Sequence, residues 1–244
     1  MEKQALRERI WDELEESGAA RFPFPPHGRI PNYKGAEDAA ERLTDLDAWK
    51  DADVIKSNPD APQLPVRRRA LRAGKTLYMA VPRLSDEKCF LRLDPQEIKD
   101  VDDATTVSGS SEHGVQVGPE AMEPIDLIVS GSVVVNRRGA RVGKGEGYSD
   151  LEFGILREFE LVDDDTITVT TIHEIQFVND EIPTTPRGSV CNRLHRNPPA
   201  WWVATRRGDT ARGHRRPTRR RTARRRRAGP RTATPRRSTL RRTV

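Results

Sequence analysis

The 244-residue chain has two cysteines, Cys89 and Cys191. Two are too few for a disulfide framework or a cysteine-built metal cluster, and they suit a reducing compartment. Aromatic residues make up 5% of the chain, with three Tyr, four Trp and six Phe. No apolar run approaches the roughly 20 residues that a helical membrane span needs. The first residues are charged and helix-like, so they do not read as a signal peptide. Lysine is absent from residues 187–244, and so are acids apart from Asp209. These absences predict a soluble, cytoplasmic chain with no membrane contact, and we expect a monomer.

The formal charge of +6 conceals a split. Residues 1–186 carry 23 Arg and Lys against 36 Asp and Glu, a net of −13; residues 187–244 carry 20 Arg and one acid, a net of +19. An acidic body poor in lysine and aromatics is what a protein of a salty cytoplasm looks like: carboxylates keep it hydrated while salt screens their repulsion.

Periodicity organises the body. Leu6, Ile10 and Leu14, with Trp11 beside them, predict a helix over Lys3–Ser17 closed by Gly18. Residues Arg21–Lys34 form a Pro/Gly loop. Helices are expected over Ala36–Leu46, Val66–Ala73, Asp94–Asp100 and Ser149–Phe159, the last burying Leu151, Ile155 and Phe159 and capped by Ser149 or Asp150. Strands are expected over Asp53–Ser57, Thr76–Val81 and Thr166–Ile172, with Ile175–Val178 as an edge or partner. Ile125–Val129 and Ser132–Val135 are β-branched and read as central strands. Strands alternating with helices predict a three-layer α/β domain over residues 1–186, with a mostly parallel sheet and ligands at the carboxyl ends of its strands.

The segment Gly139-Ala-Arg-Val-Gly-Lys-Gly-Glu-Gly-Tyr-Ser-Asp150 lies at such an end. Alternating glycines let backbone N–H groups close on an anion because no Cβ blocks the approach. Arg141 and Lys144 add positive charge, and the following helix offers its positive end. Asp150 is an oxygen ligand within reach of a phosphate-bound Mg²⁺. The pattern predicts nucleotide phosphate binding; a plain turn, with Asp150 only a helix cap, is the bland alternative.

Residues 187–244 do not fit the body. The last 39 residues hold 17 Arg and seven Thr, and almost everything else is Ala, Pro, Gly or Ser. Such a segment buries no core and reads as disordered. Two origins stay open: a nucleic-acid-binding arm that neutralises phosphates, or GC-rich DNA translated out of frame.

Arg141-Val-Gly-Lys-Gly-Glu-Gly-Tyr-Ser-Asp150 resembles the Arg-Leu-Gly-x-Gly-x-Gly-Tyr-Tyr-Asp signature of the 5-formyltetrahydrofolate cyclo-ligase (methenyltetrahydrofolate synthetase) family, with Ser149 for the second Tyr. Lys3-x-x-x-Arg7 resembles that family's opening helix, and His173–Pro183 its penultimate strand. Gly28–Tyr33 and Asn58–Gln63 look like its archaeal branch and the related synthetase-domain proteins. The resemblance covers residues 1–186. It implies a fold like that of CoA-transferases and ribose-phosphate isomerase, and ATP- and Mg²⁺-dependent closure of 5-formyltetrahydrofolate to 5,10-methenyltetrahydrofolate. By the same resemblance, Arg141 and Lys144 neutralise charge in catalysis. Arg141, Gly143, Lys144, Gly145, Glu146, Gly147, Tyr148 and Ser149 cradle ATP, Lys3 and Arg7 reach the nucleotide, and Asp150 holds Mg²⁺. Thr184–Val190 stands where the family carries a second metal-binding Asp. A binding module that kept the fold and lost the chemistry, contacting nucleotide or RNA through the basic tail, is the alternative.

Other residues read more plainly. Arg67-Arg-Arg69 reads as a solvated helix face that could bind an anion, Asp163-Asp-Asp165 as a turn, His173 as a satisfied sheet histidine, and Tyr148 as either core packing or a pterin contact.

Overall fold

Leu6, Ile10, Trp11 and Leu14 line one stripe of α1 (Lys3–Glu16) and are buried, as their spacing requires. The computed structural model describes residues 2–81 and 84–183, and the backbone of 201–204. The Pro/Gly loop after α1 folds into a small antiparallel pair, β1 (Ala20–Arg21) and β2 (Asn32–Tyr33). Next come α2 (Ala36–Thr44), α3 (Asp47–Lys50), β3 (Val54–Ser57), α4 (Leu64–Arg72), β4 (Thr76–Ala80) and β5 (Phe90–Leu93). They are followed by α5 (Val101–Ala104), α6 (Val107–His113), β6 (Val115–Val117), β7 (Leu127–Val129), β8 (Val134–Asn136) and β9 (Arg141–Val142). The chain continues through α7 (Tyr148–Glu158), β10 (Ile167–Ile172), β11 (Phe177–Val178) and β12 (Trp201–Ala204).

Seven strands form the main sheet in the order β12-β10-β7-β3-β4-β5-β6. The first five are mutually parallel, and β5 and β6 add an antiparallel edge. The mostly parallel sheet with helices on both faces is therefore as expected. Side-chain alternation explains the layers. Ile55, Leu77, Met79, Leu127 and Val129 pack with residues of α2, α3, α4 and α5. Val54, Tyr78, Ala80 and Ile128 point to the other face and pack with Phe153 and Leu156 of α7. Each such aliphatic contributes about 1.5–3 kcal/mol by leaving water.

Three expectations are corrected. Ser132–Val135 is not a central strand; β8 belongs to a separate three-stranded sheet, β11-β8-β9, whose Val134 and Val142 pack under α1. An apolar β-branched run needs a dry face, and α1 supplies it as well as the main sheet would. Residues 94–100 form a turn, because Asp94 Oδ1 accepts from the Gln96 N–H at 2.9 Å; the helices start later, where Asp100 caps α5 and Thr106 caps α6. In α7 the buried face is Glu152, Phe153 and Leu156, whereas Leu151 is 59% and Phe159 46% exposed. The inner stripe of α7 includes a charge, so a search for apolar residues alone turns the helix the wrong way.

Strand β12 runs parallel to β10 at the sheet edge, from within the segment assigned to the tail. The remainder of residues 184–244, with the expected tail and the departure at 184–190, lies outside the described residues. No helix among the described residues is long and apolar enough to cross a membrane.

Candidate functional site

The chain leaves β3 toward β4 on one side, and the later strands β7 and β10 stack on the other. Strand order thus reverses between β3 and β7, and in open α/β sheets the crevice outside the carboxyl ends of two such strands takes the ligand. Asn58-Pro-Asp60 follows β3 and Ser130-Gly-Ser132 follows β7, so both turns flank that crevice.

Buried polar side chains hold it open. Asn58 Nδ2 donates to Ser149 Oγ at 3.3 Å, and Asn58 Oδ1 accepts from the Gly131 N–H at 3.3 Å, so one amide joins β3, β7 and α7. Arg67, 1% exposed, donates to the carbonyls of Asn58 at 2.7 Å, Asp60 at 3.0 Å and Thr105 at 3.0 Å. Burial lowers its pKa to about 10. Arg67 is therefore a structural clasp; Arg68 and Arg69 keep the partly exposed positions and pair with Asp102 and Glu37. Lys56 and Glu152 form a buried ion pair between β3 and α7.

The glycine-rich segment closes the crevice. Gly145 and Gly147 have φ of +117° and +76°, backbone that side-chain-bearing residues rarely adopt. Gly147 is the N-cap of α7, and no side chain caps that helix. Neither Ser149 nor Asp150 caps it as expected; the Asp150 and Leu151 N–H groups go to the Gly147 carbonyl, which leaves those of Tyr148 and Ser149 to meet an anion. Arg7 Nε donates to the Gly143 carbonyl at 2.7 Å, which ties α1 to the loop. Arg141 is 9% exposed; its Nη2 donates to the Gly131 carbonyl at 2.6 Å and its Nε to Ser132 Oγ at 3.4 Å, bracing the turn after β7. Lys144 pairs with Glu146 at 2.7 Å, and its Nζ lies 5.9 Å from the centre of the Tyr148 ring. Tyr148 is 45% exposed, so it is not core packing.

All the residues expected at the site, Lys3, Arg7, Arg141, Gly143 through Ser149 and Asp150, line one cavity of about 450 Å³. Its size suits a small-molecule site. Its lining mixes four cations, Lys3, Arg7, Arg141 and Lys144, with the apolar Ile30, Met79, Val81, Leu91 and Val107. The glycine cradle, the cations and the helix end fit a polyphosphate. Among the described residues no group of three or more His, Cys, Asp or Glu gathers around a metal position. Asp150 at the start of α7 lines the cavity and is an oxygen ligand of the kind that would hold a phosphate-bound Mg²⁺.

Sequence reasoning missed Lys56, Asp60 and Glu152 at this site. A lysine inside an apolar strand and a carboxylate just past the end of that strand were the available signals. His173 lies just beyond β10, where its Nδ1 accepts from the Ile175 N–H at 3.3 Å in a capping box, so it is locally satisfied. Asp163–Asp165 form the expected turn, with Asp163 Oδ1 accepting from the Asp165 N–H at 3.0 Å.

A sequence model of the 5-formyltetrahydrofolate cyclo-ligase family matches residues 1–190. Over 180 residues the chain is 42% identical to a methenyltetrahydrofolate synthase domain-containing protein of Bos taurus, covering 72% of this chain and 47% of that one. Against its counterpart from Mus musculus it is 43% identical over 180 residues, 72% and 48% of the two chains. The chain spans about half the length of the curated relatives it matches. The NMR structure of Aquifex aeolicus 5,10-methenyltetrahydrofolate synthetase has the same fold, with a TM-score of 0.53 at 16% identity over 91% of this chain and 99% of that one. By sequence and by the glycine-loop site its fold builds, the chain belongs to the 5-formyltetrahydrofolate cyclo-ligase family.

Proposed function

We propose that the chain closes 5-formyltetrahydrofolate to 5,10-methenyltetrahydrofolate at the expense of ATP, with Mg²⁺, in the cytoplasm. The observation that supports this most is the cavity at the β3/β7 crevice, lined by four cations, a glycine-built helix end and apolar side chains together. The cations and the helix end suit a triphosphate, and the apolar lining with Tyr148 suits a flat pterin. Bound ATP supplies the phosphoryl group that turns the formyl oxygen into a leaving group.

The protein's part is positioning and charge neutralisation, as in phosphoryl transfer generally. Lys144 and the N-terminal N–H groups of α7 hold the phosphates, Lys3 and Arg7 reach them from α1, and Asp150 holds the Mg²⁺. Arg141 keeps the turn after β7 in place and presents its remaining donor. No side-chain nucleophile is required. Lys144→Ala tests the assignment: ATP-dependent turnover should be lost, and unchanged turnover would remove Lys144 from the site.

A further inference from the structure

Asp60 lines the cavity but has no part in the chemistry above. Arg67 clasps the backbone carbonyls on both sides of Pro59, so the turn that carries Asp60 is fixed. Its side chain has no hydrogen-bond or ion-pair partner among the described residues. Asp60 Oδ2 lies across the crevice against Gly131, where an added Cβ would come within 3.0 Å of that oxygen and of the Ile30 side chain. Glycine at 131 is what leaves room for the carboxylate.

Four charged groups face it: Lys144 from the glycine loop, Arg67 from α4, Glu152 from α7 and Lys56 from β3. Burial is the largest influence and raises its pKa; Glu152 adds to the rise and the three cations oppose it. A carboxylate without a hydrogen-bond donor, against apolar neighbours, binds a proton more tightly than one in water.

Ring closure has a proton to dispose of. N10 of the folate bonds to the activated formyl carbon, the bond from that carbon to oxygen breaks, and its electron pair leaves with the phosphate. The N10–H electron pair stays on nitrogen and its proton departs. We propose that Asp60 is the general base that accepts the N10 proton during ring closure, an assignment that rests on the cyclo-ligase reading. The proton then passes to water or to the released phosphate. A positioned base of this kind contributes about 10²–10⁴-fold.

The test is Asp60→Asn, which keeps the shape and removes no side-chain hydrogen bond. We expect kcat to fall about a hundredfold while KM for 5-formyltetrahydrofolate and ATP stays within about threefold. Wild-type kcat should rise with pH through a pKa above the usual carboxylate range, and this limb should vanish in Asp60→Asn. Asp60→Glu should restore part of the rate and bring the limb back with a moved midpoint. Wild-type kcat and an unchanged limb in Asp60→Asn would overturn the proposal and leave the cyclo-ligase reading standing. A wild-type chain without ATP-dependent turnover would overturn both.

Discussion

Lys56 and Glu152 form an ion pair sealed between β3 and α7, their side chains 3% and 5% exposed. Lys56 stands on the α7-facing side of β3, and Glu152 lies one turn into the helix whose start borders the cavity. The pair therefore fixes the N-terminal end of α7 against the sheet, beside the Asn58–Ser149 hydrogen bond.

Removing one partner leaves a buried charge. Lys56→Met or Glu152→Leu alone should cost about 3–5 kcal/mol, while the double substitution should be near neutral or stabilising by about 1–4 kcal/mol. Urea denaturation of the three variants measures both. Single variants within about 1 kcal/mol of wild type would contradict a sealed pair.

Arg67→Lys keeps the charge and loses the fork. A lysine ammonium cannot span the carbonyls of Asn58, Asp60 and Thr105; the first two keep the Ser57 hydroxyl and the Gln63 N–H, while the Thr105 carbonyl loses its donor at a cost of about 1–3 kcal/mol. We expect a loss of about 1–3 kcal/mol and a fall in kcat as the Asn58–Asp60 turn loosens. A melting temperature equal to that of wild type would contradict the clasp.

Gly147 starts α7 in the left-handed region. Gly147→Ala should cost about 1–2 kcal/mol and raise KM for ATP, whereas Gly147→Asn, which tolerates that backbone better, should cost less. Equal effects of the two substitutions would mean that the backbone conformation is not what selects glycine there.

Asp60 is more readily protonated in the folded chain than in the unfolded one, because burial raises its pKa. Its neutral form therefore favours the fold below the usual carboxylate range, and that contribution is lost as pH rises through the raised value. Asp60→Asn mimics the neutral acid at every pH. It should melt above wild type at pH 7 and level with it at acidic pH, a stability gained at the expense of rate. Identical melting at both pH values would contradict the burial of this carboxylate.

The fold class was legible because its elements follow simple periods. The stripe of α1 and the short apolar strands β3, β4, β7 and β10 each sit where a dry face demands apolar residues. Two kinds of element were not. Ser132–Val135 reads the same whether its dry face is the main sheet or α1. α7 turns a glutamate inward, and sequence alone does not reveal that Lys56, 96 positions away, receives it. The glycine loop was legible because its residue types have few other uses. The clasp of Arg67 reaches Thr105, 38 positions away, and Asp60 is placed against Gly131 in the turn after β7, so neither leaves a local pattern.

The most direct test mixes the purified chain with 5-formyltetrahydrofolate and MgATP and follows the near-ultraviolet absorbance of the methenyl product, with and without ATP. The account predicts absorbance that grows only when ATP is present and is lost in Lys144→Ala. Absence of product from a folded chain that still binds ATP would contradict it.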